Sequence, residues 1–149
     1  MNRLETKRFG EVSFVDSETI EFPWGLPGFA ELRKFLALSL AEQPNFVWLQ
    51  SIDDPNVALP CSDPWQIFPD YDPKLPGYAK AALELEQPDD FTILCVVVVT
   101  EEAHEMTMNL IAPVIVNLKT RRGRQIMLEN SGYAVREPIP RKGADAKTA

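Results

Sequence analysis

The stretch FTILCVVVVT, residues 91–100, decides how this sequence folds. Its β-branched side chains are stiff at χ1 and fit a pleated surface better than a helix. An unbroken apolar run of this kind predicts a strand over 92–100 buried on both faces. At ten residues it is half the length a membrane-spanning helix needs, so it reads as the core strand of a globular domain. Downstream, residues 106–118 contain no Asp, Glu, Lys or Arg. They predict a second strand over 107–120, joined through the turn Arg121-Arg122-Gly123-Arg124 to a third over 125–129.

Upstream, most apolar positions recur with period two, the mark of a strand with one wet face. Val12 and Phe14 alternate with polar residues, as do Ile20 and Phe22, and Asp16-Ser17 lies between them, so 9–22 predicts a hairpin. FPWGLPGF at 22–29 forces an irregular turn through two prolines and two glycines. A short helical turn is expected at 30–34, then strands through Leu36, Leu38 and Leu40, over 46–52 and over 56–62. Six prolines fall between Pro55 and Pro76. That density argues for a rigid, extended surface segment rather than a long helix or a central strand. YAKAALELE at 78–86 favours a short helix. After Arg136 a single large apolar residue remains, which predicts one domain over 1–137 and a disordered tail over 138–149. The fold class expected is all-β with small α content: a compact, β-barrel-like single domain of short antiparallel strands.

The chain has 149 residues and a formal charge of −7. Two cysteines make no disulfide framework, and no charged start followed by an apolar stretch suggests a secretory signal, so a soluble intracellular protein is expected. The charge is unevenly placed. Residues 42–105 carry thirteen acids against Lys74 and Lys80, net −11, whereas 119–149 are net +5. A chain with an acidic middle is a poor general binder of nucleic acid, and two electrostatic faces are expected if the fold keeps these parts separate.

Catalytic chemistry has little support. His104 is the one histidine, without a second at metal-ligand spacing. No Gly-x-Ser-x-Gly elbow or phosphate loop occurs, which leaves only an enzyme built around Cys61 or His104 as a third-choice reading. Asp53-Asp54-Pro55 and Asp70-Tyr71-Asp72 lack the spacing of a calcium loop and read better as turn formers. No metal or cofactor is expected. The turn formed by Lys119, Arg121, Arg122 and Arg124 could contact phosphates, and an RNA-binding β-barrel module using this 119–124 hairpin is the alternative reading. The best binding candidate is DPWQIFPDYDPKLPGY at 63–78, where Trp65, Phe68 and Tyr71 sit on a proline-stiffened segment among the acids Asp70 and Asp72.

Four segments in order resemble the flagellar assembly factor FliW family: FGEVSF (9–14) with FPWGLPGF (22–29); FVWLQSIDDP (46–55); DPWQIFPDYD (63–72); and MNLIAPVIVNLKTRRGRQIML (108–128). The resemblance spans about residues 7–138. Cys61-Ser62 departs from it, standing where the family more commonly has apolar residues. It implies a non-enzymatic, cytoplasmic bacterial protein that binds flagellin and the translational repressor CsrA, and so couples the flagellin level to flagellin translation. No direct nucleic-acid partner and no membrane are implied. Candidate anchors for flagellin are Trp24, Phe29, Trp65 and Phe68. Asp70, Tyr71, Asp72, Glu84 and Glu86 complete the expected protein-binding set, the acids being placed to oppose the phosphates of CsrA-bound RNA.

Overall fold

A closed ring of strands forms the body of the molecule in the computed structural model, which describes residues 1–26, 28–99 and 105–140. The strands are β1 (Asn2–Thr6), β2 (Gly10–Phe14), β3 (Ile20–Glu21), β4 (Lys34–Leu40), β5 (Gln43–Ser51), β6 (Ala58–Ser62), β7 (Phe91–Val99), β8 (Met106–Met108), β9 (Val114–Asn117), β10 (Arg122–Gln125) and β11 (Glu137–Pro138). Among the described residues one helix of more than a single turn, α1 (Gly77–Ala82), lies between β6 and β7. Neighbours run β7-β6-β5-β4-β3-β10-β9, and β9 pairs again with β7 through Leu94↔Val114 to Phe91↔Asn117, closing the ring. All these pairings are antiparallel except β10 with β3.

Two apolar clusters lie on opposite faces of this sheet. Ile20, Phe22, Phe35, Leu49, Cys61, Leu94, Val114 and Val116 fill the barrel interior. Ile93, Cys95, Val97 and Ile115 point outward into a second cluster, which is covered by Tyr71, α1 and the chain around Leu110 and Leu128. A strand between two clusters needs apolar side chains at every position, which is the physical reason for the unbroken run of 93–97. Among the described residues the expectation of two-sided burial fails at Val98 and Val99, which are exposed where β7 runs past the cluster; residue 100 lies outside the described residues. Gly123 is the thin place in the wall: a Cβ there would meet the Phe22 ring at 2.7 Å.

Several expectations are corrected. Residues 9–22 do not form a hairpin: β2 pairs with β1, which the sequence reading overlooked, in register from Asn2↔Phe14 to Thr6↔Gly10. Asp16–Glu18 is instead a 3-10 turn that hands the chain from this two-stranded sheet to the barrel. The segment 30–34 forms no helical turn, and Lys34 already begins β4. The 107–120 strand is two strands, β8 and β9, broken at Asn109, whose carboxamide accepts the Ala112 N–H at 3.1 Å. The cationic turn lies at 118–121, so Arg122 and Arg124 are strand residues of β10. β6 is a central strand despite Pro60. Its even-numbered residues face β7, and the β6–β7 ladder is confined to Cys61↔Val96 and Ser62↔Cys95, so the missing N–H interrupts no bonded pair. β11 and the Ile139 N–H donating to the Met106 carbonyl carry regular pairing past residue 137. Most of the expected tail, and His104, lie outside the described residues.

Candidate functional site

The Pro-rich segment and β7 form the walls of a groove of about 790 Å³, with Lys80 of α1 at one end. Proline fixes φ, so Pro64, Pro69, Pro73 and Pro76 hold this segment away from regular pairing. Asp63 caps a 3-10 turn, its carboxylate accepting the Trp65 N–H at 2.9 Å. That turn throws the Trp65 ring back over Tyr71, with ring centres 5.6 Å apart, and the indole N–H donates to the Tyr71 carbonyl at 2.7 Å. Tyr71 is buried, and its hydroxyl donates to the Leu110 carbonyl at 2.6 Å. Tyr133 stacks edge-on against it at 4.8 Å and accepts the Asp72 N–H through its hydroxyl at 2.9 Å. The segment is thus pinned at Tyr71 and Asp72, while Trp65 keeps 38% of its surface exposed at the groove mouth.

Across the groove stand Phe91, Thr92 and Ile93 of β7, with Leu75, Lys80 and Pro88 between. A smaller extension past Leu85 and Glu86 shares Leu75, Lys80, Pro88 and Phe91 with it, so the two hollows are continuous. Asp70, Asp72, Glu84 and Glu86 are all exposed, and Asp72 pairs with Lys74 at 3.0 Å. Phe68 is half-buried against the outer cluster and contributes its packing rather than a free face. Of the expected set, Trp65, Tyr71 and Asp72 line the groove and Glu86 its extension, whereas Phe68, Asp70 and Glu84 lie outside the lining of both. Trp24 and Phe29 belong to the 22–29 turn: Phe29 packs against the barrel interior, and the exposed Trp24 carries the Arg124 guanidinium 4.5 Å above its ring.

Sequence reasoning missed Phe91, Ile93 and Leu75 as groove-lining residues, and it missed Asn117. The Asn117 amide is buried, donates to the Leu83 carbonyl at 2.7 Å, and accepts the Lys119 N–H at 2.8 Å. It ties the end of α1, where Glu84 takes a left-handed φ of 54°, to the turn after β9. The break in apolar pattern at the end of VIVN was the one available signal.

The four cations of the 119–124 segment are all engaged. Lys119 pairs with Asp90 at 3.1 Å, and Arg122 approaches Glu21 at 3.7 Å. Arg121 donates to the Glu18 carbonyl at 2.8 Å, and Arg124 lies over Trp24 and Tyr78. Asp54 acts as a turn former, accepting the Asn56 N–H, whereas Asp53 instead caps the remote start of β4, accepting the Arg33 and Lys34 N–H groups. Cys61 and Cys95 occupy opposite faces of the sheet, one in each cluster. Burial pushes both thiols up, Cys95 to about 12 despite the opposing pull of Tyr71, so neither supplies a thiolate near neutral pH. Among the described residues no helix is long and apolar enough to cross a membrane.

Comparison with known proteins agrees with this architecture. The family model described as FliW protein matches residues 3–139. The flagellar assembly factor FliW of Caldanaerobacter subterraneus subsp. tengcongensis is 40% identical over 137 residues, covering 91% of each chain. That of Pseudothermotoga lettingae is 39% identical, covering 89% of this chain and 85% of its own. A solved crystal structure of the flagellar assembly factor FliW superposes with a TM-score of 0.85 at 27% identity, covering 95% of this chain and 99% of that one.

Proposed function

The chain belongs to the FliW family of flagellar assembly factors, and from that premise we propose that it binds flagellin and the repressor CsrA in the cytoplasm. In this reading CsrA held by the protein is kept off the flagellin message, and accumulating flagellin displaces CsrA so that translation stops. The protein itself touches no RNA. The observation that carries the electrostatic part is that Asp70, Asp72, Glu84 and Glu86 are all exposed, against Lys74 and Lys80 alone in the 42–105 segment. CsrA needs basic surface to hold RNA, so an acidic face docked beside that surface repels phosphate without imitating a base. The engagement of all four 119–124 cations by neighbours within the fold argues against the RNA-binding alternative.

The test is RNA release from CsrA by the variant Asp70→Asn, Asp72→Asn, Glu84→Gln, Glu86→Gln. Inhibition is expected to weaken by an order of magnitude or more at low salt and to differ less from the parent at high salt. Unchanged inhibition with CsrA binding intact overturns the electrostatic mechanism. A pull-down with purified flagellin and CsrA tests the partners themselves: each is expected to bind and to displace the other.

A further inference from the structure

β7 has one edge that is only partly used. Along the chain its even-numbered residues face β9 and β8: the Leu118 N–H donates to the Asp90 carbonyl at 2.7 Å, and the Asn109 N–H to that of Val96 at 2.9 Å. Backbone groups of successive residues alternate in direction along an antiparallel strand, so those of Phe91, Ile93 and Cys95 face the other edge. Ser62 of β6 takes up Cys95 there, and β6 then ends in the Asp63 cap, after which the 3-10 turn Pro64–Gln66 stays beside β7 without strand pairing. Among the described residues no strand continues beside Phe91 and Ile93. Both line the groove, whose opposite wall is the segment 71–75. Pro73 and Pro76 lack an N–H, which keeps that wall from closing onto the edge itself. Two N–H and two C=O groups therefore stand unpaired by any strand on a groove floor flanked by Trp65, Leu75 and Phe91.

The surroundings say what fits. The segment 70–89, which supplies one wall of the groove and its far end, exposes Asp70, Asp72, Glu84, Glu86 and Asp89 against Lys74 and Lys80; of these Asp72, Lys74 and Lys80 line the groove and Glu86 its extension. We propose that this groove is a strand-docking site: an extended segment of a partner chain, apolar at alternate positions and carrying basic residues, adds to the open edge of β7 at Phe91 and Ile93. Its backbone completes the ladder, its apolar side chains lie against Trp65, Leu75 and Phe91, and its cations meet the acidic surround. This rests on the reading of the chain as a partner-binding assembly factor and assigns that reading a place and a recognition chemistry.

The probe is a synthetic peptide, acetyl-Lys-Val-Thr-Val-Thr-Val-Lys-amide, added to the isotopically labelled full chain. In the free protein the Phe91 and Ile93 amides are expected to exchange at least tenfold faster than those of Thr92 and Leu94, and to slow at least tenfold on addition of the peptide. Two analogues carry N-methyl groups on alternate residues, one set on the valines and one on the threonines. One is expected to lose at least tenfold in affinity and the other to stay within about twofold, because only one peptide edge faces β7. Replacing both lysines by glutamate is expected to weaken binding several-fold. Exchange at Phe91 and Ile93 that does not respond to the peptide overturns the proposal, as do two methylated analogues that bind alike. Neither outcome touches flagellin or CsrA binding, which the pull-down decides on its own.

Discussion

At the residue scale, Tyr71 and Asn117 set the shape of the candidate site without offering it a free surface. The Tyr71 hydroxyl satisfies the Leu110 carbonyl in a buried setting. Tyr71→Phe leaves that acceptor unpaired and is expected to lower stability by about 1–3 kcal/mol, read by denaturant unfolding. Asn117→Ala releases two carbonyl and two amide partners at once and is expected to cost at least as much, with the loss of protection concentrated at Lys119 and Thr120. The two thiols give a prediction with a sign. Their folded values lie above the ordinary thiol value of 9.0. The stability this represents is present below about pH 9 and is lost as pH rises from there toward 12, because the unfolded chain gives up its protons first. Stability is therefore expected to fall across that window, and less steeply in a Cys61→Ala, Cys95→Ala variant. A thiol reagent at pH 8 is expected to label neither cysteine until the protein is unfolded.

At the scale of elements, β10 shows how a glycine fixes a barrel wall. Phe22 lies against Gly123 and stands edge-on to Phe35, ring centres 5.3 Å apart. Gly123→Ala forces that ring or the Ile115 carbonyl to move, and a loss of about 1–3 kcal/mol is expected, typical of overpacking. A Gly123→Ala, Phe22→Leu double variant is expected to recover part of it, a coupling that a purely local backbone effect does not produce. The Arg124 stack on Trp24 and Tyr78 belongs to the same strand and holds that guanidinium in place against two rings.

At the scale of the whole molecule, the barrel and the β1–β2 sheet are unequal partners. The hairpin docks on the outer face of β4 and β5 through Phe9 edge-on to Trp48 at 5.9 Å, Arg8 over the same indole at 4.4 Å, and the Lys7 N–H donating to the Pro55 carbonyl at 3.2 Å. A two-stranded hairpin is marginal alone, so its stability is borrowed from this contact. In hydrogen exchange, amides of β1 and β2 are expected to open at a lower free energy than those of β5 and β7, which share the global unfolding of the barrel. Trp48→Ala is expected to release the hairpin and bring its amides close to free-chain rates.

Period-two alternation, the doubly apolar run at 93–97 and the Pro-dense segment were legible because each is dictated locally by which faces a strand buries. The all-β class followed from them, whereas the family was legible through the resemblance of four ordered motifs. The pairing of β2 with β1 rather than β3 was not legible, because alternation marks a strand without naming its neighbour. Nor was the fate of the cations at 119–124: their charges are sequence, but their partners Glu18, Glu21, Trp24 and Asp90 are remote along the chain. The aromatics and acids of 63–72 could be picked out as binding candidates from composition, whereas Phe91 and Ile93 looked like core. Only ring closure, with β6 ending at Ser62, leaves their backbone on an open edge. Sequence determined which residues are apolar, stiff or charged; the tertiary structure decided which backbone groups remain unpaired, because long-range strand pairing settles that.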